Sequence, residues 1–221
     1  MQPAGNPNDR FALLAFLAFL LTLLAIGTKA VHGQPLRAGY QLASLAVPLP
    51  KQLDRAAQAR NAVATIAWLQ ARLAIREATG RNDGPAVAAL VRAGGGVASQ
   101  HPEWCGFTQA ACQRAHGLPI PARGMQGAAR AWFQDAHRTY YLAGQRGALD
   151  SIKPGHQAGF NYGRGIHHIT RFVEVVPPLR KGRPPRGFYT IGGNEGRGLN
   201  AGVHRTYYPS QNIAAASNWL Y

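Results

Sequence analysis

The sequence predicts an α+β domain with a small antiparallel sheet, preceded by a separate apolar segment near the N-terminus. Three observations predict this arrangement. The chain of 221 residues is long enough for one domain with a full core once its first residues are set aside. Helix-period patterns fill the first half of that domain, whereas β-branched and aromatic runs separated by Gly and Pro clusters fill the second half. Helices followed by strands are typical of helices packed on an antiparallel sheet.

The apolar segment runs from Phe11 to Gly27 (FALLAFLAFLLTLLAIG). Its length is close to the minimum of about 17 residues that crosses a bilayer as a helix. An uncleaved signal anchor is the favoured interpretation, and a cleaved signal peptide is the alternative because Thr28-Lys29-Ala30 is an acceptable cleavage site. We therefore expect residues 1–33 to form a signal anchor or a signal peptide that contains one transmembrane or signal helix.

A Pro-containing linker is expected at residues 34–51, and the domain at 52–221. The predicted helices cover Gln52 to Ala78, Pro85 to Ala93 before Gly94, Trp104 or Cys105 to Ala115, and residues 124–143. The predicted strands cover Ile166 to Val176, Gly187 to Ile191 and Val203 to Tyr208, with residues 177–186 as a hairpin loop.

The formal net charge of +15 indicates an anionic partner, which is nucleic acid, a lipid surface or the carboxylate-bearing cell wall. The apolar segment and the lack of a recognition motif disfavour nucleic acid, so none is expected as a partner. Four basic residues lie within the predicted hairpin loop and either bind an anionic glycan or lipid or are simply solvated: Arg180, Lys181, Arg183 and Arg186.

Two cysteines, Cys105 and Cys112, are too few for a disulfide framework. Seven residues along one helix separate their Cα atoms by roughly 10 Å, beyond the ~7 Å limit for a disulfide. Cys105 is expected in the first turn, where exposed N–H groups favour the thiolate that a cysteine hydrolase needs. The alternative is a buried structural thiol, which is the interpretation kept for Cys112.

A thiol hydrolase also needs a base and a group that orients it. His167 and His168 open a predicted strand, and only one of them can face the cysteine because neighbouring strand residues point to opposite faces. Asn194 and Glu195 follow another strand, and either one can hold an imidazole. The histidines show no zinc-site spacing and no phosphate-binding loop is present, so neither a metal nor an organic cofactor is expected.

Several motifs taken together resemble the CHAP family of cysteine- and histidine-dependent amidohydrolases and peptidases. They are EATGRNDGP, EWCGF, IHHITRFVEV and TIGGNEG followed by GVHRTYY, in family order over about residues 65–221. The resemblance implies a papain-like CHAP fold, with N-terminal helices packed on the sheet. Arg171 departs from the family pattern, which usually has an apolar residue there, and His156 departs because an acidic residue usually follows Pro-Gly.

The resemblance also implies the site residues. Cys105 is the nucleophile and His168 the base, with His167 as the alternate because Arg171 breaks the strand pattern. Asn194 orients the histidine, with Glu195 as the alternate. Trp104 and Gly106, which flank Cys105, are expected to contact substrate.

The expected activity is hydrolysis of peptidoglycan, either at the N-acetylmuramoyl-L-alanine amide or within the peptide stem, by a Cys-His-Asn thiol mechanism. The expected location is the inner membrane, as a single-pass protein with its catalytic domain in the periplasm or outside, or secretion if the apolar helix is cleaved. The alternative is a catalytically silent wall-binding or scaffold subunit of an envelope or secretion complex, with a protein partner.

Overall fold

The structure of the chain, a computed structural model, describes residues 55–145, 147–163 and 165–221. The apolar segment expected within residues 1–33 and the linker expected at 34–51 lie outside these residues. Within the described ranges, no helix is both long enough and apolar enough to cross a membrane. These ranges belong to one compact unit that spans residues 48–221.

Three α-helices form the first half of the domain: α1 (Arg55–Gln70), α2 (Pro85–Ala93) and α3 (Cys105–Ala115). The predictions for α2 and α3 are confirmed, with Pro85 in the first turn of α2 and Gly94 at its C-cap. The prediction that α1 continues to Ala78 is wrong. After Gln70 the chain turns so that Arg76 bridges Gly202, and strand pairing overrides the helical pattern.

The prediction of a helix over residues 124–143 is also wrong. This stretch contains a short 3₁₀ helix, Ala129–Phe133, and then strand β1, Thr139–Leu142. Burial explains the difference, because the 3₁₀ turn buries Trp132 and Phe133 while β1 pairs with another strand. The apolar residues that suggested a helical face are core residues of an irregular segment.

Six antiparallel strands form one sheet in the order β1-β6-β2-β3-β4-β5. Besides β1, the strands are β2 (Gln157–Asn161), β3 (Ile166–Val176), β4 (Gly187–Glu195), β5 (Gly202–Pro209) and β6 (Ala215–Ser217). The predicted strands correspond to β3, β4 and β5, and the β3–β4 hairpin loop is confirmed. The α+β class with a small antiparallel sheet is therefore confirmed, although β1, β2 and β6 were not predicted.

Helix α3 packs against β3 and β4 in the middle of the fold. One core cluster joins the helices to β4 and β5 through residues such as Leu69, Val91, Ile191 and Val203. A second cluster contains Cys105 itself, together with Trp132, Ile169 and Trp219. The first turn of α3 is thus fixed on the sheet by apolar packing, which positions whatever chemistry that turn carries.

Candidate active site

Cys105 is the first residue of α3, as the sequence predicts. The preceding N-cap residue, Trp104, makes no side-chain capping hydrogen bond. The backbone N–H groups of the first turn are therefore not capped by that side chain, and they carry the partial positive charge of a helix N-terminus. The Cys105 side chain is buried among apolar neighbours, so this charge acts on a thiol that is shielded from solvent.

Two flanking residues hold this turn by packing. The indole of Trp104 is completely buried, and its Nε1 donates a 2.8 Å hydrogen bond to Oε1 of Glu77. A Cβ on Gly106 would lie 2.3 Å from the carbonyl oxygen of Gly127, so only glycine fits there. Both are packing residues of the helix start, and the expectation that they contact substrate stays a prediction.

His168 is the histidine that faces the cysteine. It lies in β3 opposite Phe160 and is buried, whereas the adjacent His167 is exposed, as strand alternation requires. The Cys105 thiol lies close enough to the His168 imidazole to raise the pKa of the imidazole by hydrogen bonding and by charge. The structure therefore brings together the two residues that sequence reasoning names as nucleophile and base.

The carboxylate of Glu195 holds the other side of the imidazole. Its Oε1 lies 3.3 Å from Nε2 of His168, which leaves Nδ1 as the ring nitrogen for the Cys105 thiol. This separation is long for a charge-assisted hydrogen bond, and Oε1 has no conventional hydrogen-bond partner among the described residues. The imidazole is consequently the group that compensates this buried carboxylate oxygen.

A tyrosine completes the arrangement. The hydroxyl of Tyr208 donates a 2.6 Å hydrogen bond to Oε2 of Glu195. Burial, followed by the negative charge of Glu195, raises the pKa of Tyr208, so the hydroxyl keeps its proton and remains a donor. Cys105, His168, Glu195 and Tyr208 thus form one connected chain of side chains.

Asn194, the residue that the family pattern implies as the orienting group, occupies a different position from Glu195. Its backbone is left-handed, with φ of 58°, at the register shift in β4 between Gly192 and Glu195. Such a bulge changes which residues of a strand face a given side. As a result Glu195, the alternate, contacts the imidazole, and Asn194 lines the cleft beside it.

The pKa of His168 is raised well above its usual 6.5. Burial, the largest influence, disfavours the charged imidazole, but hydrogen bonds and charge interactions with Cys105 and Glu195 outweigh it. The protonated form of the imidazole is therefore favoured more strongly than in a free histidine. A protonated imidazole beside a thiol is the electrostatic partner that a thiolate requires.

A cleft of about 500 Å³ opens onto this group of residues. The cleft is lined by Tyr162, His168, Asn194, Glu195, Gly196, Arg197 and Tyr208. Tyr162 is 65 % exposed and its ring lies 6.3 Å from that of His168, so it forms a wall of the cleft that a ligand can contact. Cys105 is only 3 % exposed, so the imidazole and carboxylate are the parts of the chain that face the opening.

Cys112 has the structural role that its sequence context indicates. It is completely buried, its thiol contacts the carbonyl oxygen of Thr65 at 3.4 Å, and burial raises its pKa. Both cysteines are free thiols. A thiol whose proton is held more tightly is a poor nucleophile, which agrees with a structural role for Cys112.

Arg171 and His156, the two departures from the CHAP pattern, lie close together in the structure. The Arg171 guanidinium is completely buried and contacts neutral acceptors, among them Gln109 and Gln113 of α3 and, at 2.7 Å, the carbonyl oxygen of Gly155. That carbonyl lies beside His156, whose pKa is lowered to about 4 by burial and then by Lys153 and Arg171. The buried guanidinium is thus satisfied by neutral acceptors, and among the described residues no carboxylate forms an ion pair with it.

Sequence reasoning missed Tyr208, Glu77 and the role of Arg171. Strand register pairs Glu195 with Gly202 and Tyr208 with Phe188, so no pairing rule predicts the contact between Glu195 and Tyr208. The one sequence signal for Tyr208 is its place in the GVHRTYY motif.

Among the described residues, no group of three or more His, Cys, Asp or Glu side chains could hold a metal ion. Comparisons of the chain with protein-family models, with curated proteins and with solved structures found no match.

Proposed function

We propose that the chain is a cysteine amide hydrolase of the CHAP type that cleaves peptidoglycan. The observation that carries the proposal is that Cys105 at the start of α3, His168 and Glu195 lie buried next to one another, with Nε2 of His168 3.3 Å from the Glu195 carboxylate. A nucleophile on a helix N-terminus, packed on an antiparallel sheet that supplies the base, is the arrangement expected of a papain-like hydrolase. The CHAP motifs lie at these same positions, which supports the family assignment.

In the proposed reaction, the Cys105 thiolate attacks the amide carbonyl carbon and forms a C–S bond. The backbone N–H groups at the start of α3 stabilise the oxyanion. The imidazolium of His168 then donates its proton to the amide nitrogen, the C–N bond breaks, and the amine leaves from a thioester. Next, His168 takes a proton from water, the hydroxide attacks the thioester, and cleavage of the C–S bond releases the acid and restores the thiolate and the imidazolium.

Glu195 has two functions in this scheme. Its carboxylate stabilises the positive charge on the imidazole, and its contact with Nε2 fixes the ring so that Nδ1 faces the thiol. Tyr208 in turn fixes the carboxylate. The proposed triad is therefore Cys-His-Glu, with Asn194 placed where it can contact a ligand in the cleft.

The substrate class and the location are proposed from other features. The CHAP resemblance indicates cell-wall amides, and the net charge of +15 suits a wall that carries peptide carboxylates. The apolar run from Phe11 to Gly27 supports export, with the domain held at the outer side of the inner membrane or released if the run is cleaved. We propose no nucleic-acid partner and no cofactor.

The test is release of soluble fragments from purified peptidoglycan by the full chain, read by mass spectrometry. Wild type is compared with Cys105→Ala and with the matched control Cys112→Ala. Fragment release should vanish only in Cys105→Ala, and the products identify the amide that is cut. If folded wild type releases nothing while it binds the wall, the silent scaffold is the better explanation.

The scaffold alternative also predicts a different thiol. Iodoacetamide should label Cys105 rapidly below pH 7 if His168 maintains a thiolate, whereas a silent domain with an ordinary thiol should react slowly. This measurement needs no substrate, so it separates loss of chemistry from a wrong choice of peptidoglycan.

A further inference from the structure

The loop of residues 177–186, between β3 and β4, carries a concentrated positive charge that the proposed catalysis does not use. Four cationic side chains lie within it: Arg180, Lys181, Arg183 and Arg186. No acidic residue occurs in this loop, and among the described residues no carboxylate forms an ion pair with any of the four. The charge of the loop is therefore not neutralised by the described domain.

An apolar side chain lies within this charge. Leu179 is 83 % exposed, the largest exposed fraction among the large hydrophobic residues of the described ranges. It lines a shallow depression of about 510 Å³ together with Pro178, Arg180, Arg183, Pro184 and Arg186. An exposed leucine surrounded by cations combines the two features that bind an interface of apolar chains and anionic headgroups.

The loop is tied to the sheet at its base. The Ser210 hydroxyl donates to the carbonyl oxygen of Pro185, and Nε of Arg186 donates to that of Pro177 at 3.2 Å. Four prolines further restrict the backbone, at positions 177, 178, 184 and 185. A restrained loop loses little conformational entropy on binding, which favours it as a docking element.

We propose that the β3–β4 loop is a docking surface for an anionic lipid bilayer, in which Leu179 enters the interface while the surrounding Arg and Lys side chains bind headgroup phosphates. A soluble polyanion would use the cations alone and gain nothing from an exposed leucine, which is why a bilayer is the occupant. The expected apolar segment within residues 11–27 would place the domain near such a surface.

The loop and the candidate site lie at opposite ends of the β3–β4 hairpin. The loop joins the end of β3 to the start of β4, whereas His168 lies near the start of β3 and Glu195 is the last residue of β4. Contact with the membrane is thus made at the opposite end of the hairpin from the candidate site. This consequence rests on the proposed function, whereas the docking itself does not.

The test places an environment-sensitive fluorophore on Leu179→Cys in the full chain, with Cys105→Ser to remove the thiol of the candidate site. The matched control is Leu199→Cys, because Leu199 is 68 % exposed and follows β4 at the catalytic end of the hairpin. With vesicles of phosphatidylcholine and phosphatidylglycerol, emission from position 179 should shift to the blue and rise several-fold. Position 199 should not respond, and pure phosphatidylcholine vesicles should have little effect at either position.

Charge variants test the headgroup contacts. Each basic residue near an anionic surface increases the membrane partition coefficient roughly five-fold. The triple variant Arg180→Gln, Lys181→Gln and Arg183→Gln should therefore lower the partition coefficient, measured by the emission at position 179, by about 100-fold. The control, Arg60→Gln with Arg92→Gln and Arg123→Gln, removes the same charge from exposed sites outside the loop and should lower it much less.

Three outcomes would overturn the proposal. The first is an equal response at positions 179 and 199, the second is an equal effect of the two triple variants, and the third is a response at 179 to isolated peptidoglycan but not to vesicles. The last outcome would identify a wall polymer as the occupant. Because the labelled chains carry Cys105→Ser, none of these outcomes depends on hydrolysis, and a failure here leaves the proposed catalysis untouched.

Discussion

At the residue scale, the proposed hydrolysis depends on the positive charge of the His168 imidazole. His168 is buried, and its contacts with Cys105 and Glu195 favour the protonated imidazole against the effect of burial. Glu195→Gln preserves the size of the side chain but removes the charge that stabilises the imidazolium. We expect hydrolysis to fall by about 100-fold, a typical loss for impaired acid–base catalysis. The alkylation rate of Cys105 below pH 7 should fall in parallel.

The control for that change is Asn194→Gly, which removes the amide but keeps the left-handed backbone accessible. It should cost no more than a few-fold in hydrolysis, measured on the same peptidoglycan. If Asn194→Gly is the more damaging of the two variants, the asparagine orients the histidine during catalysis and the assignment of Glu195 fails.

Tyr208 is expected to act through Glu195 and not on the substrate. Tyr208→Phe removes the 2.6 Å hydrogen bond to a buried carboxylate oxygen, and hydrogen bonds to charged groups contribute about 1.5–3 kcal/mol. We expect a loss of that size in the free energy of unfolding and a reduced kcat with little change in KM. Tyr207→Phe is the control, because the Tyr207 hydroxyl donates only to the backbone carbonyl of Arg186, at the loop end of the hairpin.

At the element scale, Arg171 links helix α3 to the sheet. Its guanidinium reaches from β3 to Gln109 and Gln113 of α3 and to Thr65 of α1. Arg171→Met keeps much of the volume but removes the donor to the buried side-chain oxygens of Gln109 and Gln113, at a cost of about 3 kcal/mol or more in the free energy of unfolding. Urea unfolding measures this, and the iodoacetamide rate of Cys105 should change as the helix start loosens.

An exposed arginine provides the comparison. Arg205 pairs with Glu174 on the surface, and such pairs contribute only about 0–1 kcal/mol. Arg205→Gln should therefore leave the urea midpoint almost unchanged. Similar losses for Arg171→Met and Arg205→Gln would show that the buried guanidinium does not fasten α3.

The elements that sequence patterns predict correctly are those with strong local signals. Pro85 and the glycines from Gly94 onward delimit α2, and the long β-branched run of β3 has no helical alternative. Strands β1 and β6 carry no such signal, because they are short and gain their stability from pairing with each other. The same reason explains the early end of α1, where pairing of Arg76 with Gly202 replaces helical hydrogen bonds.

The residues of the candidate site also differ in whether local sequence signals predict them. Cys105 and His168 are predictable because their chemistry and local spacing are specific. The choice between Asn194 and Glu195 is not, since it depends on a bulge that one left-handed residue creates in β4. The contact of Tyr208 with Glu195 depends on a long side chain and not on register. The burial of Arg171 depends on two amides of α3, the Thr65 hydroxyl of α1 and the carbonyl oxygen of Gly155.

At the scale of the whole molecule, two buried histidines give stability an optimum in pH. The pKa of His156 is lowered to about 4 by burial, then by Lys153 and Arg171, so its protonation favours the unfolded chain. Stability from His156 is complete above pH 6.5 and is lost as pH falls towards 4, by up to about 3 kcal/mol. His168 has the opposite sign, because its raised pKa gives stability that is complete below pH 6.5 and lost as pH rises through the folded value.

The free energy of unfolding should therefore be greatest near about pH 6.5, fall on the acid side towards pH 4, and fall on the alkaline side as pH rises through the raised pKa of His168. Urea unfolding at a series of pH values measures the two limbs separately. His156→Gln should flatten the acid limb alone, although its hydrogen bond with Tyr140 is lost as well, and His168→Gln should flatten the alkaline limb alone. Removal of the carboxylate in Glu195→Gln should reproduce part of the second effect, because Glu195 helps to raise that pKa. An alkaline limb that persists in His168→Gln would mean that the imidazole is not held as the cation, and the thiolate that the proposed hydrolysis requires would then lack its partner.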